Sequence, residues 1–126
     1  MLAAQAIGDI YNWGKGVAID YPRAMAAYKI AAEAGDALSQ HQVGWMYCMG
    51  HGVAVDFKLS RAWIEKAAAQ DYPKAVGQLA VMYMSGKGVT PSFRRARELC
   101  QRAIELGDSL AVKNMQALTQ SIQNVS

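Results

Sequence analysis

Three stretches decide the fold: IGDIYNWGKGV at residues 7–17, VGWMYCMGHGV at 43–53 and LAVMYMSGKGV at 79–89. Each is offset from the one before by 36 residues. Tyr11, Tyr47 and Tyr83 align, as do Gly14, Gly50 and Gly86, then Gly16, Gly52 and Gly88, then Val17, Val53 and Val89. A self-match with a period of about 20 to 50 residues marks a stacked repeat array. One unit of such an array cannot bury its apolar face alone and does so against its neighbours.

Outward from these stretches, each unit reads as helix, short loop, helix. The first helices are expected over 2–13, 37–49 and 73–85, where Val43, Met46 and Tyr47 fall at helical spacing. The glycine pair stops each of them, because glycine enters the left-handed region without a Cβ clash. The valine after each pair is expected to tuck back into the core. The second helices are expected over 22–34, 58–70 and 92–106. Asp20, Asp56 and Ser92 stand where a side-chain oxygen caps free N–H groups. Pro22 fits the first turn that follows. The pairs Ala31-Ala32 and Ala67-Ala68 and the pair Ala103-Ile104 let helices approach closely. Gly35 and Gly107 end two second helices and Asp71 takes that place in the other; Asp36 and Asp108 then cap the helices that follow, and Pro73 starts one. Residues 109–125 keep the first-helix register, with Val112, Met115, Leu118 and Ile122 apolar and Gln116, Gln120 and Gln123 polar. That is the pattern of a capping helix closing the stack.

The chain has 126 residues, 52% hydrophobic and 18% charged, with only two Phe. This suits one all-α domain with close helix packing and is too apolar for a disordered chain. A net charge of +3 is mild for a nucleic-acid domain, which concentrates more charge on one face. Cys48 and Cys100 fall at different unit positions and read as buried or half-buried free thiols. No apolar run approaches the ~20 residues of a membrane span. Met1–Ala6 lacks the basic and apolar segments of a signal peptide. Met1 aligns with Ala37, so the capping pair Gly35-Asp36 has no counterpart ahead of it. This points to an excised fragment or a mature form, in which any targeting segment would have gone with the missing part, and to the cytoplasm if the chain is complete. The uncapped first face is also a route to self-association.

The pattern Ala-x-x-x-Leu-Gly-x-x-Tyr-x-x-Gly-x-Gly-Val, then Asp, an Ala-Ala pair and Gly, resembles Sel1-like repeats, relatives of tetratricopeptide repeats. The first unit carries it as Ala3, Ile7, Gly8, Tyr11, Gly14, Gly16, Val17, Asp20, Ala31, Ala32 and Gly35. The other units depart at Ser39, Asp71, Ala80, Ser92 and Ile104. The resemblance implies a right-handed α/α superhelix of three 36-residue repeats, about 1–36, 37–72 and 73–108, plus the capping helix 109–125. It also implies that the first helices line the concave side and that the role is that of an adaptor or scaffold binding other proteins. Some secreted members carry a cysteine pair bridging the two helices of each unit. This chain lacks it, which sets it apart from that branch.

Residues that recur are required by folding, so function is sought where the units differ. At 100° per residue the first-helix face opposite the core holds Gln5, Asp9 and Asn12; His41, Trp45 and Cys48; and Gly77, Val81 and Met84. Trp13 and Met49 lie at its edge. Trp45 is the expected anchor for an extended peptide or a helix of a partner protein. The residues expected to bind the partner are therefore Gln5, Asp9, Asn12, Trp13, His41, Trp45, Cys48, Met49, Val81 and Met84. Met46 and Met82 are assigned to the core. His41 and His51 have no Cys, Asp or Glu at metal-ligand spacing, and His51 reads as a solvated loop residue. Gly14-Lys15-Gly16 is too short for a phosphate loop, and no nucleophile or carboxylate pair stands out. No catalysis, cofactor, metal or small-molecule substrate is expected. The alternatives are a bacterial immunity or inhibitor protein that neutralises one enzyme and, more weakly, nucleic-acid binding through Arg94, Arg95, Arg97 and Arg102 of an otherwise solvated convex face.

Overall fold

Each predicted hairpin forms, and the cause is a loop closed the same way three times. The computed structural model describes residues 2–108, 110–116 and 120. The first helices are α1 (Leu2–Trp13), α3 (Ala37–Met49) and α5 (Pro73–Ser85). The second helices are α2 (Tyr21–Glu33), α4 (Phe57–Ala68) and α6 (Phe93–Glu105). A seventh, α7, covers 110–116, and no strand occurs among the described residues. In every unit the N–H that precedes the second helix donates to the carbonyl of the repeated tyrosine: Asp20 to Tyr11 (2.9 Å), Asp56 to Tyr47 (3.0 Å) and Ser92 to Tyr83 (2.9 Å). The same three residues cap the second helix by accepting from Arg23, Leu59 and Arg95 N–H. Gly50 and Gly86 end α3 and α5 in the left-handed region, their N–H groups donating to Met46 and Met82.

The turns between units also repeat. Asp36, Tyr72 and Asp108 donate their N–H groups to Ala31, Ala67 and Ala103. Asp71, in the place of Gly35 and Gly107, holds φ 59. Aspartate tolerates this better than a branched residue would. Arg102 then fastens the turn, donating to the Ala68 carbonyl (2.9 Å) and to the Asp71 carboxylate.

The core lies between the helices as two clusters. One joins Ala24, Met25, Tyr28, Ala32, Val43 and Met46. The other joins Ile64, Ala67, Ala68, Ala75, Val76, Leu79 and Met82 with Ala103 and Ala111. Burying one such aliphatic side chain stabilises by about 1.5–3 kcal/mol, against about 1 kcal/mol for a cap. Packing therefore dominates stability, and the caps set the boundaries. Within a hairpin, size is matched across the pair. A Cβ on Gly8 would stand 2.6 Å from the Tyr28 ring, and one on Gly44 2.6 Å from Ile64. The third unit carries Ala80 and the smaller Cys100 at those two positions.

Four expectations need correction. Val53 and Val89 pack on the core, but Val17 is exposed, because no unit lies against its loop. In α7 the buried residue is Ala111, while Val112 is exposed; Leu118 and Ile122 of the expected capping helix lie outside the described residues. His51 is not simply solvated: its ring stacks on Tyr21 at 4.3 Å. Arg102 belongs to the Asp71 turn rather than to a free surface.

The second glycine of each loop does a different job from the first. A Cβ on Gly52 would lie 2.7 Å from the Tyr21 backbone, and one on Gly88 2.4 Å from the Phe57 carbonyl oxygen. Each loop thus rests on the start of the preceding second helix. Around Gly16 there is nothing within 4 Å, although its φ of 79° matches the 77° of the other two. Gly16→Ala is expected to cost only the left-handed strain, about 1–2 kcal/mol. Gly52→Ala and Gly88→Ala add a backbone clash and are expected to cost clearly more, as urea denaturation of the three variants will measure.

Candidate functional site

The first helices repeat a stripe at unit positions two, five, six and nine, one helical face in steps of three and four residues. In α3 it is Leu38, His41, Gln42 and Trp45; in α5 it is Lys74, Gly77, Gln78 and Val81. Leu110 and Asn114 of α7 continue it, while Asp9 and Trp13 of α1, with Lys15, close the other end. Together with Tyr72 and Asp108 from the turns, they enclose a cavity of about 680 Å³. Trp45 is 37% exposed and Trp13 62%. Gly77, the counterpart of His41, leaves room for a carboxylate: a Cβ there would lie 2.6 Å from Asp108 Oδ2.

Of the residues expected on this face, the structure brings together Asp9, Trp13, His41, Trp45 and Val81. Gln5, Cys48, Met49 and Met84 do not line the cavity, and Asn12 is buried. The wheel itself accounts for Asn12. Its position lies about 40° from that of Gly8, which faces α2, and about 60° from that of Asp9. Cys48 and Met84 share that flank and are half-buried. The same wheel places Gln42 and Gln78 about 60° from Trp45 and Val81 on the other side, a signal present in the sequence and overlooked. Lys74 lies at the edge of the same α5 face, whereas Tyr72 and Asp108 come from the junctions between units, where no single-helix wheel reaches.

The groove carries two lysines and two aspartates, and the aspartates are engaged. Asp9 accepts from the Tyr28 hydroxyl, and burial followed by this bond pushes the Tyr28 phenol up. Asp108 Oδ1 accepts from the Leu110 N–H at 3.2 Å. His41 packs against Tyr72 with ring centroids 5.6 Å apart. Burial, then the nearby Lys74, lowers its pKa to about 4, so it is a neutral imidazole at neutral pH. Among the described residues no cluster of three His, Cys, Asp or Glu could hold a metal ion. No helix among them is long and apolar enough to cross a membrane.

The arginines of α6 are mostly committed elsewhere. Arg94 pairs with Glu98 at 3.5 Å, Arg102 with Asp71, and Arg95 lies over the Tyr83 ring at 5.2 Å. Arg23 lies over Tyr11 in the same way. Of these, the Arg102 contacts tie the side chain into the fold, whereas the Arg94 side chain stays 89% exposed.

The Sel1 repeat family matches residues 2–36, 37–72 and 73–108. The chain belongs to this family. Sel1 repeat proteins are in general non-catalytic protein–protein interaction modules. A Sel1 repeat protein from Oxalobacter formigenes is 36% identical with a TM-score of 0.86, over 90% of this chain and 46% of that one. A protective antigen of uropathogenic Escherichia coli with an SLR fold is 37% identical with a TM-score of 0.82, over 89% and 24%. The Sel1 chain thus spans less than half the length of either relative. Cysteine rich protein B of Helicobacter pylori shares the fold at 17% identity and a TM-score of 0.73, over 89% and 91%. No curated protein matches the sequence.

The depressed His41 pKa has a consequence for stability. The unfolded imidazole titrates near 6.5 and the folded one near 4, so folding excludes a proton in that window. The stability from neutral His41 is complete above pH 6.5 and is lost as pH falls toward 4. His41→Phe keeps an aromatic ring against Tyr72 and removes this titration. Its Tm is expected to fall less than the wild type's between pH 7 and pH 4.5, measured by thermal circular dichroism at both values.

Proposed function

We propose that this Sel1 protein is a non-enzymatic interaction module that binds an extended peptide or a helix of a partner protein along the groove of α1, α3 and α5. The observation that supports this best is Trp45, a partly exposed indole at the centre of a cavity of about 680 Å³. The loop glycines and the tyrosine before them recur from unit to unit, whereas the groove position of Trp45 holds Asp9 in the first unit and Val81 in the third. Repetition serves folding, and variation along one surface serves recognition. Trp is enriched among residues that dominate binding energy, and an apolar groove with an anchoring pocket is a known way to hold a helix or strand. Among the described residues the groove shows no nucleophile beside a base, which favours binding over catalysis. An interface this short supports an affinity in about the micromolar range.

The test selects displayed random peptides on the immobilised protein and measures the winners by fluorescence anisotropy. Trp45→Ala is expected to weaken them about thirty-fold, the equivalent of about 2 kcal/mol, with helicity and Tm unchanged. Peptides that bind Trp45→Ala as tightly as wild type would place recognition elsewhere. A steep loss with salt and on Arg97→Glu would place it on α6.

A further inference from the structure

Among the described residues, four aromatic rings carry a cation of the chain itself. Arg23 lies over Tyr11 at 5.6 Å, Lys66 over Trp63 at 4.4 Å, Lys87 over Phe57 at 5.4 Å and Arg95 over Tyr83 at 5.2 Å. No described cation lies over Trp13 or Trp45, the two tryptophans of the groove. Asp9 is in register with both: Trp13 is one turn further along α1, and Trp45 holds the unit position of Asp9 on α3. No lysine or arginine among the described residues pairs with its carboxylate. We propose, on the reading that the groove holds a peptide, that these three side chains take the guanidinium of an arginine in the partner, its N–H groups donating to Asp9 and its plane lying on the indoles.

The carboxylate is a fixed acceptor. Tyr28 donates its hydroxyl to Asp9 Oδ1, and the Tyr28 ring is fully buried, so close on Gly8 that a Cβ there would stand 2.6 Å away. Oδ2 keeps room for a donor, since no described group donates to it. The Asp9 charge reaches Tyr72, whose phenol is held up by burial, then by Asp36 and then by Asp9. His41, packed on Tyr72, is neutral at pH 7 and adds no repulsion. The place of Trp13 stays open where units stack: Met49 at the same unit position is 49% exposed with a unit ahead of it, and Ser85 is exposed too. The two lysines of the groove do not fill the site. Lys74 lies near His41 together with Asp108, both charges acting on the imidazole, and Lys15 belongs to the loop after α1. Each carries its ammonium on a flexible stem that turns to water at small cost, whereas Asp9 is held. Charge complementarity thus selects a basic side chain over an acidic one. A guanidinium suits the set better than an ammonium, because it is planar, weakly hydrated and stacks on aromatic faces while donating to a carboxylate.

The experiment sequences displayed random peptides selected on the immobilised protein and measures a synthetic winner by fluorescence anisotropy. Arginine is expected to be enriched at one position of the peptides that need Trp45. Replacing that arginine by citrulline, which keeps the shape and removes the charge, is expected to weaken binding to the wild type about ten-fold. Asp9→Asn keeps an oxygen for the Tyr28 hydroxyl. It is expected to weaken the arginine peptide by the same factor and to leave the citrulline peptide within about two-fold, so the two changes do not add. The citrulline comparison is made on the wild type and stands even where Asp9→Asn loses its fold. Winners that depend on Trp45 but carry no basic residue, or whose arginine and citrulline forms bind alike, would overturn the proposal and leave the groove reading intact. So would enrichment of Asp or Glu with weakening on Lys15→Gln or Lys74→Gln. Winners indifferent to Trp45→Ala would remove the groove reading and this site with it. A protein that sediments as a dimer and separates on Trp45→Ala would also overturn the proposal, since a second copy would then occupy the groove.

Discussion

Everything in this structure depends on one backbone hydrogen bond made three times, from the residue that caps the second helix back to the carbonyl of the repeated tyrosine. It fixes the angle at which the two helices of a unit leave their loop. With that angle set, Gly8 and Gly44 can meet Tyr28 and Ile64 at distances that admit no side chain on the glycine. The bond needs a chain that reverses within a few residues, and the left-handed glycines make that possible. Stability comes from the clusters between helices, and the closure bond decides which residues enter them.

Repetition made most of this legible. A cap, a helix stop or an alanine pair is ambiguous once, but three copies in register leave little freedom, so the six expected hairpin helices match the observed ones to within about two residues. What stayed hidden depends on what lies beside a residue rather than on its type. Val17 obeys the same pattern as Val53 and Val89, yet only the latter two have a unit against them. Arg102 reads as surface charge until the turn at Asp71 is placed beside it. His51 reads as solvated until Tyr21 of the preceding unit comes under its ring.

The groove was legible in outline for the same reason. Helical spacing put Asp9, Trp13, His41, Trp45 and Val81 on one face. It gave Asn12 the wrong depth because that residue leans toward α2. Tyr72 and Asp108 could not be found by spacing, since they enter from turns between units and their placement needs the stack itself. The lowered pKa of His41 likewise arises from burial and from Lys74 on the neighbouring helix.

Each second helix that has a following unit is held at both of its ends. At the start of α2 the backbone of Tyr21 and Pro22 abuts Gly52; at its far end Gln70 bonds the Gly35 carbonyl and Gln40. For α4 the pair is Gly88 against Phe57 and Arg102 on Ala68 and Asp71. One end resists compression and the other resists separation, about 20 Å apart along the helix. A solenoid pinned in this way cannot rock one unit against the next without breaking a bond or forcing a clash. These contacts favour one curvature, and on the proposed reading a guest in the groove would meet a preformed shape, which lowers the entropic cost of association.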